Sequence, residues 1–170
     1  INTSTSYNVT INSTTGGSVA SNKSTAKVNE TVTLTATPDE GYQLDTVTVR
    51  ATSNANTTVD VSPTDNVNVR TFTMPVDPAY DVTVSATFTK APVDTSYVDY
   101  KGASKTVQAI PLDRTMTTLG KPGTGGGIWY VVNENIIFDE GITFNYDGTA
   151  PSTVNLILGD GCTMSVGTED

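Results

Sequence analysis

Histidine is absent from this chain of 170 residues, cysteine and tryptophan occur once each, and nine Lys and Arg stand against 18 Asp and Glu. Without histidine the sequence lacks the commonest metal ligand and the commonest general base. Cys162, the single thiol, cannot close an internal disulfide or form a redox pair. A net charge of −9 opposes nucleic acid and anionic membranes, since both are held by clustered Lys and Arg. No apolar run approaches the ~18 residues of a membrane span, so no membrane insertion of this segment is expected. The chain opens on Ile1 without a basic-then-apolar leader and reads as a processed or excised piece of a longer protein. Helix is also missing: the best candidate, Lys105 to Leu119, is broken by Pro111 and rich in threonine, and reads as extended.

What the chain does have is threonine and serine, 45 residues together, woven with enough apolar residues (36%) to fold. From Tyr7 onward the period is two. Tyr7, Val9 and Ile11 face one way, as do Val32, Leu34 and Ala36, and later Val82, Val84, Ala86 and Phe88, which is the pattern of half-buried antiparallel strands. Turn residues punctuate them at Gly16-Gly17, Asn22-Lys23-Ser24, Pro38-Asp39-Glu40-Gly41, Ser53 to Asn56, Ser62 to Asn66 and Pro75 to Pro78. Seven short strands in about ninety residues give the rhythm of a small β-sandwich. In YQLDTVTVR the apolar parity slips from Tyr42 and Leu44 to Val47 and Val49, which predicts a β-bulge near Asp45-Thr46. Six Asn-x-Ser/Thr sequons, at Asn2, Asn8, Asn12, Asn22, Asn29 and Asn56, are what so Asn-, Ser- and Thr-rich a chain produces by chance.

A boundary is expected at TKAPVDTSY, Thr89 to Tyr97, dividing the chain into residues 1–90 and 91–170. The first part carries eight acids and five bases, net −3; the second carries ten acids and four bases, net −6. Beyond the boundary the texture changes to apolar runs, IWYVV, NIIF, ITF and VNLIL, separated by Asp-Glu-Gly, Tyr-Asp-Gly and Gly-Asp-Gly. Such runs predict strands buried on both faces, as in the stacked coils of a parallel β-helix.

The stretch YNVTINSTTGGSVASN…AKVNETVTLTATPDEGYQLDTVTV…TFTMPVDPAYDVTVSATF resembles the divergent InlB B-repeat modules (Listeria-Bacteroides repeat-like) of bacterial surface proteins. Its Tyr-x-Val-Thr, Gly-Gly-x-Val, Glu-x-Val-x-Leu-x-Ala-x-Pro-x-x-Gly-Tyr, Phe-Thr-Met-Pro and closing Val-Thr-Val-x-Ala-x-Phe motifs follow in order over roughly residues 6–88. The resemblance implies a compact module of a secreted or wall-anchored protein, a spacer or adhesive unit without catalytic residues. GIWYVVNENIIFDEGITF…STVNLILGDGCTMSV looks like the opening of the right-handed β-helix regions that follow such modules. The fold expected is therefore all-β: a small antiparallel sandwich or β-grasp-like module over 1–90, then a second β unit resembling the cap or first coils of a right-handed parallel β-helix.

Candidate sites are few. Asp39-Glu40 and Asp139-Glu140 have the residue types of a glycosidase pair, but strand neighbours point to opposite faces, and such carboxylates must converge at about 5–10 Å. Each pair abuts a glycine and reads as a turn, as does Asp160 in GDGC. GKPGTGGG, Gly120 to Gly127, is no phosphate loop, because Lys121 precedes the glycines, and it reads as a connector. Trp129 and Tyr130 are the candidate glycan contacts, with Tyr97, Tyr100 and Tyr146 as further aromatic platforms; the competing reading buries Trp129 and Val131 in one core and turns Tyr130 and Val132 to the other surface. The turns PTDNVN and PDEGYQLD hold oxygen ligands for calcium but lack the spacing of an EF-hand loop. Cys162 reads as a small buried apolar residue, and Lys27 and Lys101 as lysines that an isopeptide cross-link would use.

No catalytic residue, cofactor or metal ligand is expected. The composition and the resemblance together predict a non-catalytic extracellular structural or adhesive module of a bacterial cell-surface protein. Its partner would be a host or cell-wall glycan or protein. The alternative is a carbohydrate-binding or accessory fragment of a β-helix carbohydrate-active protein; self-assembly through exposed strand edges is a third.

Overall fold

A computed structural model describes residues 5–76, 78–120, 127–144 and 153–167, and among them there are strands and turns but no helix. The chain divides into two compact units, Ile1–Lys90 and Ala91–Asp170.

The first unit holds strands β1 (Ser6–Ile11), β2 (Gly17–Ser21), β3 (Thr25–Lys27), β4 (Thr31–Pro38), β5 (Tyr42–Ala51), β6 (Asn54–Val59), β7 (Val61–Pro63), β8 (Val69–Thr73) and β9 (Val82–Lys90). They form a five-stranded sheet in the order β3-β1-β9-β5-β6 and a four-stranded sheet in the order β2-β4-β8-β7. Strand β1 runs parallel to β9, and the other pairs are antiparallel. Seven strands are legible in the sequence; the structure adds the short β3 and β7 and starts β6 at Asn54, within a stretch that reads as turn. Pro63 and the Asn54–Asn56 segment are tolerated because β7 and β6 are edge strands, where a missing donor or weak β-former breaks no central ladder.

One core lies between the two sheets. The first sheet contributes Val9, Ala26, Val49, Val82 and Val84; the second contributes Val32, Leu34 and Phe72, with Met74 just past β8. Strand β4 shows the physics most plainly: Val32, Leu34 and Ala36 are buried while Thr31, Thr35 and Thr37 are exposed. Each Val or Leu so buried contributes roughly 1.5–3 kcal/mol. The two sheets cover each other through this core.

The bulge falls at Asp45. Leu44 pairs with Phe88 and Thr46 with Thr87, leaving Asp45 without a partner residue, and Val47 and Val49 return to the core side. Thr87 Oγ1 donates to Asp45 Oδ2 at 3.1 Å and lies 2.7 Å from Thr46 Oγ1, so side chains of the two strands stay linked across the bulge. The preceding turn is closed by Tyr42 N–H donating to the Asp39 carbonyl at 3.0 Å. Gly41 sits third in it at φ 77°, the left-handed conformation a type II turn requires there.

Gly17 is demanded by packing. A Cβ there would lie 2.6 Å from the Phe88 ring and 2.8 Å from the Thr37 carbonyl oxygen. Moving Phe88 would relieve only the first contact, and because Thr37 is held in the β2–β4 ladder the second can be relieved only by a shift of backbone. Gly17→Ala is therefore expected to cost about 1–3 kcal/mol, a fall of several degrees in Tm for a unit of this size. An unchanged melting curve would contradict the packing.

The second unit begins with an antiparallel hairpin, β10 (Val93–Val98) and β11 (Ser104–Pro111). Asp99 Oδ1 closes its turn by accepting from the backbone N–H of Lys101 and of Ala103, both at 2.9 Å. Six short strands follow: β12 (Thr118–Leu119), β13 (Ile128–Val132), β14 (Ile136–Phe138), β15 (Thr143–Phe144), β16 (Val154–Leu158) and β17 (Met164–Val166). All their pairings are parallel: β11-β13-β16 in one sheet, β12-β15 and β14-β17 in two more. The registers Tyr130 with Leu156, Val132 with Leu158, Ile136 with Met164 and Phe138 with Val166 set apolar residue against apolar residue. Leu112, Leu119, Tyr130, Val132, Ile136 and Phe138 form the core of this unit.

Burial on both faces, expected for these runs, holds only in part. Val131 and Val132 are fully buried, but Ile137 is 63% exposed, Leu158 51% and Val166 53%. Ile137 points away from the core that its neighbours Ile136 and Phe138 enter, and β16 is an edge strand with nothing stacked on its far side among the described residues.

Candidate functional site

Both acid pairs lie at turns. Asp39 and Glu40 are exposed on the loop closed by Gly41, and Asp139 and Glu140 on the loop where Gly141 adopts φ 85°. Asp160 is exposed beside Gly161 at φ 76°, with Cys162 N–H donating to the Gly159 carbonyl at 3.0 Å. These carboxylates sit where the chain reverses, in water. Among the described residues no group of three Asp, Glu, Cys or His gathers at metal-binding distance.

Trp129 and Tyr130 point to opposite faces of β13, as alternation requires, and both faces are covered, at Val131 on one and at Tyr130 and Val132 on the other. Tyr130 is 6% exposed and packs with Val132 in the core, its hydroxyl accepting the Gly120 N–H at 3.0 Å. Trp129 is half-buried on the other face, its ring 4.9 Å from that of Tyr97 and tilted by 32°. Parity says which residues share a face and leaves open how deeply each is covered. Tyr100 stands 92% exposed with Lys101 Nζ 5.3 Å above its ring; Tyr146 and residues 121–126 of the glycine-rich stretch lie outside the described residues.

Open grooves lie on each unit among the described residues. One, of about 480 Å³, is lined in the second unit by Arg114, Asn135, Ile137, Asp139 and Glu140; the other, of about 400 Å³, is lined in the first unit by Val59, Asp60, Phe72, Pro75 and Tyr80. Arg114 and Asn135 were not legible as neighbours of the Asp139-Glu140 turn, because stacked parallel strands juxtapose residues some twenty apart without any local signal. Asn135 is already employed: its Oδ1 accepts from Thr163 N–H at 2.8 Å and from Thr163 Oγ1 at 3.0 Å. Cys162 is half-buried against the second core. Lys27 and Lys101, the cross-link candidates, are both exposed.

A local electrostatic lock fastens the turn before β4. Between β3 and β4 the chain turns through Asn29 at φ 62°, a left-handed conformation Asn tolerates better than most residues. Glu30 fastens the turn: its Oε2 accepts the Lys27 backbone N–H at 2.8 Å and its Oε1 lies 3.3 Å from Lys23 Nζ. The Lys27 N–H first, and the Lys23 ammonium after it, hold the Glu30 carboxyl below its ordinary value. Asn29 N–H donates to Met74 O at 3.0 Å, and Met74 N–H donates to Glu30 O at 2.9 Å, tying the lock to the core.

The fold so far is that of a two-sheet, all-β module followed by parallel-paired strands. Residues 7–92 match the family model described as the divergent InlB B-repeat domain, and the chain belongs to that family. The family is one of bacterial surface modules, and no helix among the described residues is long and apolar enough to cross a membrane. No curated protein and no solved structure matches the chain.

Because the folded carboxyl of Glu30 is depressed, its contribution to stability is complete above the unfolded value near 4.5 and vanishes as pH falls through the folded one. Glu30→Gln is therefore expected to lower Tm at neutral pH, with the gap from the unsubstituted chain closing on acidification. An equal gap at neutral and strongly acid pH would show that the carboxylate charge plays no part.

Proposed function

We propose that this chain is a non-catalytic structural or adhesive unit of a protein on the outside of a bacterial cell. The observation that carries the reading is the family match over 7–92, laid on a two-sheet core with a hydroxyl-rich outer surface. On that surface Thr46 and Thr87 bond at 2.7 Å, Thr52 and Thr83 at 2.9 Å, and Asn12 Nδ2 donates to Ser85 Oγ at 2.9 Å. β-branched threonine favours the extended backbone while its hydroxyl keeps the face wetted. The unit is thus durable and soluble without a large charge density, which suits a part held away from a cell.

The second unit reads as the opening of a right-handed parallel β-helix. Its support is the in-register parallel ladder from β11 to β16 and the parallel pairs β12-β15 and β14-β17, with the β10-β11 hairpin as the cap of the first coil. The carbohydrate alternative rests on Trp129 beside Tyr97, since Tyr130 lies in the core. It is the weaker reading, because the indole already shares its contact surface with the Tyr97 ring.

Antibodies raised against this chain are expected to label intact cells that make the parent protein, and external protease to remove the label. Labelling only after lysis would contradict the surface reading. On a glycan array the chain is expected to show no signal that Trp129→Ala abolishes; such a signal would favour the carbohydrate alternative.

A further inference from the structure

The first and last strands of the first unit, β1 and β9, lie side by side and parallel, with Val9 opposite Val82, Thr10 opposite Thr83 and Ile11 opposite Val84. The chain therefore enters at one end of this ladder and leaves at the other. A pull applied along the polypeptide draws β1 and β9 past each other lengthwise. Hydrogen bonds between them lie across that pull and are loaded together. In a hairpin such as β5-β6, a pull on the two open ends loads the bonds one at a time.

Further bonds lengthen the ladder at both ends. Before it, Asp81 Oδ1 accepts the Asn8 backbone N–H at 2.7 Å and Asp81 Oδ2 accepts from Asn8 Nδ2 at 3.2 Å. Beyond it, Asn12 N–H donates to the Val84 carbonyl at 2.9 Å, Asn12 Nδ2 to Ser85 Oγ at 2.9 Å, and Thr14 Oγ1 to the Ala86 carbonyl at 2.9 Å. Contact thus runs from residues 8 to 14 on one side and 81 to 86 on the other. Beneath it Val9, Val82 and Val84 are 7%, 0% and 0% exposed, so the core face of the ladder is shut to water that would exchange for the broken bonds.

We infer that this module is a shear clamp, a unit built to bear tension between its two ends while staying folded. The inference deepens the structural-module reading and rests on it for the source of the load, which is whatever pulls a surface protein away from its cell. Resistance to force is governed by the unfolding rate, and interactions that must all break before the transition state slow that rate most.

The test is single-molecule pulling of the whole chain in two geometries, with Cys162→Ser so that handles attach only where placed. Tethered at its two termini, the first unit is expected to unfold in one step, releasing roughly 300 Å for its 85 residues from Ser6 to Lys90 at ~3.6 Å each. Tethered at the N-terminus and at Pro78→Cys, an exposed position just before β9, the same ladder is peeled from one end. Its unfolding force is expected to be severalfold lower. Asn12→Ala with Thr14→Ala, which removes the two side-chain rungs at the far end and keeps the backbone bond of Asn12 to Val84, is expected to lower the end-to-end force while moving the equilibrium Tm little. Equal forces in the two geometries would overturn the clamp and leave the surface placement standing. Absence of antibody labelling on intact cells would remove the source of load without altering the force difference.

Discussion

Strand β9 lies between β1 and β5 in the centre of the larger sheet, and the rest of the first unit is arranged around it. It carries Val82 and Val84, both fully buried, into the core, and its outward threonines and serine bond to Thr46 in β5 and to Thr52 and Asn12 just past the ends of β5 and β1. It is also the last strand made. Residues near 10 meet residues near 83 only once the whole segment exists, so the sheet cannot be completed piecemeal, and loop closure must precede the gain from the core. One parallel pairing in an otherwise antiparallel unit places entry and exit at opposite ends of one ladder.

How much of this was legible follows from which signals are local. Alternation in Val32-Leu34-Ala36 and in Val82-Val84 is local, and it marked their strands and their inward sides. So is the parity slip after Leu44, because an inserted residue shifts every later side chain, and the bulge fell at Asp45 as the pattern required. Short β3 and β7 were hidden, being three residues long and held by their neighbours rather than by any propensity of Ser62 or Pro63. Pairing order was not legible either. Nothing around Tyr7 announces that β1 will lie beside β9 instead of β2.

The candidate sites divide along the same line. That the acid pairs occupy turns could be read from the glycine after each pair. How deeply each residue of β13 is covered could not be read from IWYVV, where every residue is apolar or aromatic, and it took the core of Leu112, Leu119 and Phe138 to show that Tyr130 is enclosed more completely than Trp129. The groove of Arg114, Asn135 and the Asp139-Glu140 turn is a product of stacking. The Glu30 lock was likewise invisible as chemistry, since its partners Lys23 and Lys27 are unremarkable in a polar stretch until the left-handed Asn29 folds them together.

Native-state hydrogen exchange on the first unit tests most directly the claim that β9 closes it. Amides of β1 and β9 are expected to exchange slowest and together, with the same free energy of opening as the buried centre of β4. Exchange of β1 through a cheaper opening, while β4, β5 and β9 stay protected, would contradict it, and would make β1 an appended edge instead of half of the closure.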